Sequence, residues 1–250
     1  MGRQVTNGLR EFDMQRTIYV FGSLNIDLVC RTPRLPQPGE TILGTQFATL
    51  PGGKGANQAV AAARLGAATA MVGRVGQDDF GNQLVQGLQA LGVEASGVAR
   101  EPGISTGVAA IAVDDAGDNS IVVIPGANGQ VNPRDVEGLT ARLSPGDSLL
   151  LQFELPLPTV MAAVQAAQAQ GATVIVDPAP VPPDPRLPPE FLAAVDILTP
   201  NQIEASQLTG LAVTDVATAT VAARQLLGQG VGLAVVKLGD QGVVVAQGDR

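Results

Sequence analysis

PGGKGANQAVAAARLGA, residues 51–67, is the stretch on which the fold reading turns. Gly52, Gly53 and Gly55 surround Lys54, Asn57 follows, and an alanine-rich run at helical spacing takes over. Glycines let a backbone approach a ligand closely and adopt conformations closed to other residues. A helix starting just after them offers free N–H groups and a positive dipole end, which suits an anion or a hydroxylated ligand. TAMVGRV (69–75) then reads as a buried strand, so loop, helix and strand succeed one another.

The same rhythm continues outward. TIYVFG (17–22) reads as a first buried strand and residues 79–91 as a helix. SLLLQF (148–153), ATVIVDP (172–178), DILTP (196–200) and VGLAVVKLG (231–239) read as strands, with helices over 158–169, 201–209 and 215–228. Such alternation is the signature of βαβ units around a parallel sheet. Hydrophobic residues make up 45% of the 250, but aromatics only 3%, so the core is Ala, Val, Leu and Ile, as strands buried on both faces require. Two stretches break the rhythm. ETILGTQFATL (40–50) and TGVAAIAVDDAGDNSIVVIPGAN (106–128) alternate apolar and polar residues, the second around a DDAGDN hairpin turn. They predict a small β lid, with strands from about 40–50 and 106–125, over the α/β body. PAPVPPDPRLPPE (178–190) reads as a stiff surface connection.

Composition excludes several functions. The net charge of −8 lacks the basic footprint of a nucleic-acid binder. The count of zero histidines removes any mechanism built on a His base or a His-ligated zinc. Cys30 is the only cysteine, so no internal disulfide forms and a cytoplasmic setting is expected. No apolar run reaches the ~18 residues of a membrane span. Residues 1–16, MGRQVTNGLREFDMQR, lack the apolar core of a secretory signal and read as a mobile extension before an α/β domain over 17–250.

Candidate site residues cluster at strand ends. Asn25 and Asp27 in GSLNIDLV are two apart, so they point the same way in extended chain. They are placed at the carboxyl end of the first strand, where open α/β sheets put ligands, although an Asx turn would use the same residues. The glycine stretch is not a Walker loop: that motif needs Ser or Thr after the lysine, and Gly55 stands there. Nor does a GxGxxG follow a strand and open a helix, so dinucleotide binding is poorly supported. Asn201 and Glu204 at the start of a helix form a capping-box pattern as well as a candidate polar site. Gly239 and Gly242 fit a tight turn between strands.

Taken in order, GSLNID, PGET (38–41), GGKGANQA (52–59), the 105–128 lid segment, LQFE (151–154), DPAP (177–180), TPNQIEA (199–205) and KLGDQG (237–242) resemble the ribokinase-like (PfkB-type) family of sugar and nucleoside kinases. The resemblance runs from about Ile18 to the last residue. It implies a ribokinase-like α/β fold, a mostly parallel Rossmann-like sheet flanked by helices with a small β lid. The implied reaction is ATP-dependent phosphorylation of D-ribose at its 5-hydroxyl. Asn25, Asp27, Gly53, Lys54, Asn57 and Glu154 would bind the sugar; Asn201, Lys237, Gly239 and Gly242 would bind ATP. Glu204 would act on Mg²⁺ indirectly. Many family members carry threonine where this chain has Lys237, which could contact phosphate or simply reach solvent. A homodimer through the lids is implied as well.

One family segment has no counterpart. D-T-x-G-A-G-D supplies the catalytic Asp and an anion hole, and no GAGD occurs in the chain. The base is therefore expected beyond Arg250, together with the monovalent-cation (K⁺) site, and the 250 residues are expected to be an inactive amino-terminal portion. A kinase for another small sugar or a nucleoside, and a non-catalytic sugar-binding relative, remain the alternatives.

Overall fold

A computed structural model describes residues 16–248, so residues 1–15 of the expected extension lie outside the described residues. In chain order the first half comprises β1 (Ile18–Phe21), β2 (Asn25–Arg31), β3 (Gln46–Gly52), α1 (Lys54–Arg64), β4 (Thr69–Gly76), α2 (Asp79–Ala90), β5 (Glu94–Glu101), β6 (Gly107–Val113) and β7 (Asn119–Ile124). The second comprises α3 (Pro133–Thr140), β8 (Ser148–Gln152), α4 (Leu157–Ala169), β9 (Thr173–Asp177), α5 (Pro189–Ala193), β10 (Ile197–Leu198), α6 (Gln202–Thr209), α7 (Val216–Gly228), β11 (Leu233–Lys237) and β12 (Val243–Gln247).

The main sheet runs β12-β11-β10-β9-β8-β1-β4-β5 and is parallel except for β12. Its strands are short apolar runs with side chains alternating between two faces. Phe21, Leu149, Leu151, Val174, Val176, Ala234 and Val236 pack on one side with Val160, Val164 and Leu226 of α4 and α7. Val20, Met71 and Val75 pack on the other with Ala56, Ala59, Leu84 and Leu88 of α1 and α2. Alanine dominates α1 because its start lies against the end of β1. A Cβ on Gly55 would sit 2.6 Å from the Gly22 carbonyl carbon, so two backbones touch where both residues are glycine.

The chain leaves β1 toward β4 and β5, then returns to lay β8 on the opposite side of β1. Strand order therefore reverses between β1 and β8. In open α/β sheets ligands bind at such a reversal, outside the carboxyl ends of the strands.

The second sheet runs β3-β2-β6-β7, with β2–β6 parallel and the outer pairs antiparallel. DDAGDN makes the β6–β7 turn, where Asp114 N–H donates to Asp118 O and Gly117 N–H to Asp114 O. Three readings need correction. Strand structure begins at Gln46, not at residue 40. The lid gains a strand from β2, because Asn25 and Asp27 do not end the first strand but open the next, after a turn at residues 22–24. Glu94–Glu101 is a strand and Pro133–Thr140 a helix that the apolar pattern did not single out; the strand is a polar sheet edge and the helix has only Val136 and Leu139 buried.

Candidate active site at the carboxyl edge of the sheet

Every candidate residue lies at or beyond the carboxyl end of a strand of the main sheet, or in the lid above it. At the strand-order reversal, Ser23 after β1 meets Glu154 after β8. The Ser23 hydroxyl donates to Glu154 Oε2, and Lys54 N–H donates to the same oxygen at 3.1 Å. Gly55 N–H reaches Ser23 Oγ at 3.3 Å and Ala56 N–H reaches Ser23 O at 2.9 Å. The first N–H groups of α1 are thus satisfied by protein, and the glycine stretch does not leave them open for an anion. Its dipole instead favours the Glu154 carboxylate. Gly53 makes the entry possible: its φ is +90°, and a Cβ would lie 2.8 Å from both Asn25 N and Ser23 O.

Asn25 is buried, and its Oδ1 accepts from Asn128 Nδ2 at 2.8 Å. Asn128 is held in turn by Leu24 N–H at 3.0 Å and donates to Leu24 O at 3.1 Å. With Oδ1 engaged, the Asn25 amide N–H groups are left to face the cleft. Asp27 points to the same face as Asn25, opposite Leu50 and beside Ala109. Burial pushes its carboxyl pKa up, and the nearby Glu154 charge adds to the effect. Asn25, Val123, Pro125, Asn128, Phe153, Glu154 and Pro180 enclose a cleft of ≈ 240 Å³. Lys54 opens α1 half-buried and Asn57 lies exposed on its first turn. Asn25 and Asp27 share a strand face as their spacing suggests, Gly53 lies against Asn25 and Ser23, and Glu154 lines the cleft with Asn25; Lys54 and Asn57 are not among the residues lining it. Ser23 and Asn128 were not singled out, although both stand inside quoted motifs, GSLNID and PGAN. Their partners lie more than a hundred residues away in sequence, so no local pattern marks them.

The second group lies further along the same edge. Asn201 caps α6: its Oδ1 accepts Glu204 N–H at 2.9 Å, while Glu204 Oε2 accepts Asn201 N–H at 2.8 Å. Asn201 Nδ2 takes the remaining Glu204 oxygen at 2.8 Å. The capping reading is realised, and both oxygens of the buried Glu204 are engaged. Among the described residues no group of three or more His, Cys, Asp or Glu side chains is gathered for a metal. This donor set does not fit a directly ligated ion. Lys237 neither reaches freely into solvent nor stands unpaired: its Nζ meets Asp177 Oδ1 at 3.0 Å. Its N–H donates to Pro200 O at 2.8 Å, and it bridges Asn201 in parallel fashion. Gly239 and Gly242, at φ +61° and +88°, form the turn from β11 to β12, closed by Leu238 N–H on Gly242 O at 2.8 Å.

A doubly wound sheet with a cleft at its strand-order reversal, where Asn25, Asn128 and Glu154 stand among Val123, Pro125, Phe153 and Pro180, defines an α/β protein of the kind that binds a ligand at the carboxyl ends of its strands. Residues 15–250 match the pfkB family carbohydrate kinases, and the chain belongs to that family. It is 38% identical over 234 residues to a ribokinase of Haemophilus influenzae, a match covering 94% of this chain and 76% of that protein. A Mus musculus ribokinase is 39% identical over 91% of this chain and 70% of its own length. The Arabidopsis thaliana ribokinase complexed with ribose and ATP superposes with a TM-score of 0.83 at 33% identity, over 95% of this chain and 76% of that one.

Proposed function

We propose that this protein transfers the γ-phosphoryl group of ATP to the 5-hydroxyl of D-ribose. The observation that carries the reading is that Asn25 and Glu154 line one cleft at the strand-order reversal, with the Asp27 carboxylate, on the same strand face as Asn25, near enough to feel the Glu154 charge. Asn25 donates to a sugar hydroxyl; Asp27 accepts from others, and so does Glu154 through Oε1, its Oε2 being occupied by Ser23 and Lys54. Gly53 keeps the wall thin, and Lys54 and Asn57 approach the sugar from α1. Asn201, Lys237, Gly239 and Gly242 take the nucleotide. Magnesium would come with ATP and supply charge neutralisation on its phosphates, with Glu204, both oxygens engaged by Asn201, bearing on it only through Asn201; potassium would be the monovalent activator. The transfer itself is a matter of positioning and of stabilising charge on the phosphoryl oxygens.

The sequence contains no D-T-x-G-A-G-D segment to supply a base and an anion hole. Loss of a single such donor costs roughly 3 kcal/mol of transition-state stabilisation. The residues named above belong to the sugar and nucleotide sides of the reaction, so binding of D-ribose is the property they are read to carry. The lids pair two copies through the exposed apolar residues of β3 and β7, and the protein works in the cytoplasm. Thermal stabilisation by D-ribose, with adenosine and 2-deoxy-D-ribose as comparators and ADP release followed in parallel, tests the reading. Stabilisation by D-ribose above both comparators supports it. Stabilisation by adenosine alone points to a nucleoside kinase, and stabilisation by none of the three contradicts the reading.

A further inference from the structure

Gln152 closes β8 with its side chain wholly buried. Among the described residues its Oε1 is one of two buried side-chain polar atoms with no hydrogen-bond partner; the other, Thr32 Oγ1, lies past the far end of β2 from the cleft. An amide oxygen left unpaired in the interior costs free energy that an apolar side chain in its place does not. The surroundings would accept an apolar residue: Leu150, on the same face of β8, packs against the cluster of Val20, Met71, Ala56 and Ala59. Packing alone therefore gives no reason for a glutamine at this position.

The other end of the amide has a partner. Gln152 Nε2 donates to Gln58 Oε1 at 2.6 Å. Gln58 stands four residues after Lys54 on α1, hence on the same face of that helix. The unpaired Oε1 lies against Gly22, where a Cβ would collide with it and would also sit 2.8 Å from Gly55 Cα. Three segments thus meet on one amide: the turn after β1, the first turns of α1 and the end of β8. The same three segments supply Ser23, Lys54 and Glu154. The Ser23 hydroxyl and Lys54 N–H converge on Glu154 Oε2, two residues beyond Gln152.

We propose that Gln152 is a positioning residue for the sugar site, acting through Glu154. Its bond to Gln58 fixes the first turns of α1 against the end of β8, so that Lys54 N–H reaches Glu154 Oε2 and Oε1 is left for the sugar. The unpaired oxygen is the cost of that alignment, since a residue without an amide would pack better and hold α1 less closely. The inference rests on the reading of the cleft as a sugar site and adds to it a residue that does not touch the sugar.

Two substitutions remove the same bridge from opposite ends. Gln152→Met takes away the unpaired oxygen along with the donor. Its melting temperature should rise, while D-ribose binds about tenfold more weakly, the worth of one hydrogen bond to a charged group. Gln58→Met leaves both ends of the Gln152 amide unpaired. Its melting temperature should fall, with D-ribose weakened as in Gln152→Met. A side chain that only fills the core would move affinity in step with stability, so opposite stability changes with a shared loss of affinity separate the two roles. The loss should also depend on Glu154: added to Glu154→Ala, Gln152→Met should change D-ribose affinity less than about twofold in calorimetric titration, because the carboxylate it positions is gone. A Gln152→Met chain that is less stable than the parent, one that binds D-ribose like the parent, or a full tenfold loss in the Glu154→Ala background overturns the inference alone. A parent chain that D-ribose does not bind overturns it together with the sugar reading of the cleft.

Discussion

Asp27 is a carboxylate kept where the fold would prefer it neutral. Its pKa is raised by burial and by Glu154, so the charged form penalises the folded state. That penalty is present above the raised pKa and is relieved as pH falls through it. Asp27→Asn should therefore raise the melting temperature at neutral pH while weakening D-ribose roughly 10- to 100-fold, the worth of a hydrogen bond to a charged group. Calorimetry of parent and variant in one buffer reads the two effects; a variant that is less stable and binds normally contradicts the assignment. For the parent, sugar affinity should fall on acidification sooner than an ordinary aspartate would predict. Gly53 carries the complementary constraint. Gly53→Ala should cost about 1–3 kcal/mol in urea unfolding, because the residue is held at φ +90° against Asn25 and Ser23. At this scale the sequence was informative where chemistry is local: the glycines around Lys54, and the i, i+2 pair Asn25 and Asp27. It was silent on Ser23–Glu154 and Asn128–Asn25, since each exists only once distant segments meet. The Lys237–Asp177 pair was hidden for the same reason.

Between elements, the joint of lid and body turns on Asp78. It caps α2 through Gly81 N–H at 2.8 Å and accepts from Thr106 N–H at 2.8 Å and Thr106 Oγ1 at 2.6 Å, just before β6 begins. Thr106 Oγ1 in turn accepts Gly76 N–H at 2.9 Å. Burial works to raise the Asp78 pKa, but the bonds from Thr106 and Gly81 outweigh it and hold the carboxyl below its ordinary range. Its stabilisation is therefore present above the unfolded pKa and is lost as pH falls through the lowered one. Asp78→Ala should cost about 1–3 kcal/mol near neutral pH and flatten the acid side of the stability profile. Hydrogen exchange should also quicken across β6 and β7; exchange confined to α2 would mean that the residue is only a helix cap. The elements themselves were largely legible. Buried parallel strands are bare apolar runs, and the DDAGDN turn announces its hairpin. β2 was missed because its residues follow β1 after a turn of only three, so two strands of different sheets read as one strand and its end.

For the molecule as a whole, the lid presents an apolar surface that the body does not cover. On one face of the lid sheet Val122, Ile124 and Phe47 are 61%, 45% and 65% exposed, while Ile121, Val123 and Leu50 lie on the opposite face, that of Asn25 and Asp27. The proposed pairing of lids rests on this surface, since contiguous exposed apolar area is what association covers. Under the proposed pairing the parent sediments as a dimer and Val122→Glu as a folded monomer, since Val122 is outside the buried core; a monomeric parent, or an unchanged dimer in the variant, contradicts the pairing. The α/β class and the lid were legible because period two and period 3.6 alternate cleanly along the chain. How the two sheets enclose a cleft was not, because that depends on the strand-order reversal between β1 and β8, which no local pattern encodes. The central claim is that this reversal holds a sugar site. Isothermal titration of the 250-residue chain with D-ribose, repeated on an Asp27→Asn, Glu154→Gln double variant, tests it most directly. One D-ribose bound per chain, and binding lost in the folded double variant, is the predicted result. No binding by the parent chain, or equal binding by the double variant, would contradict the account.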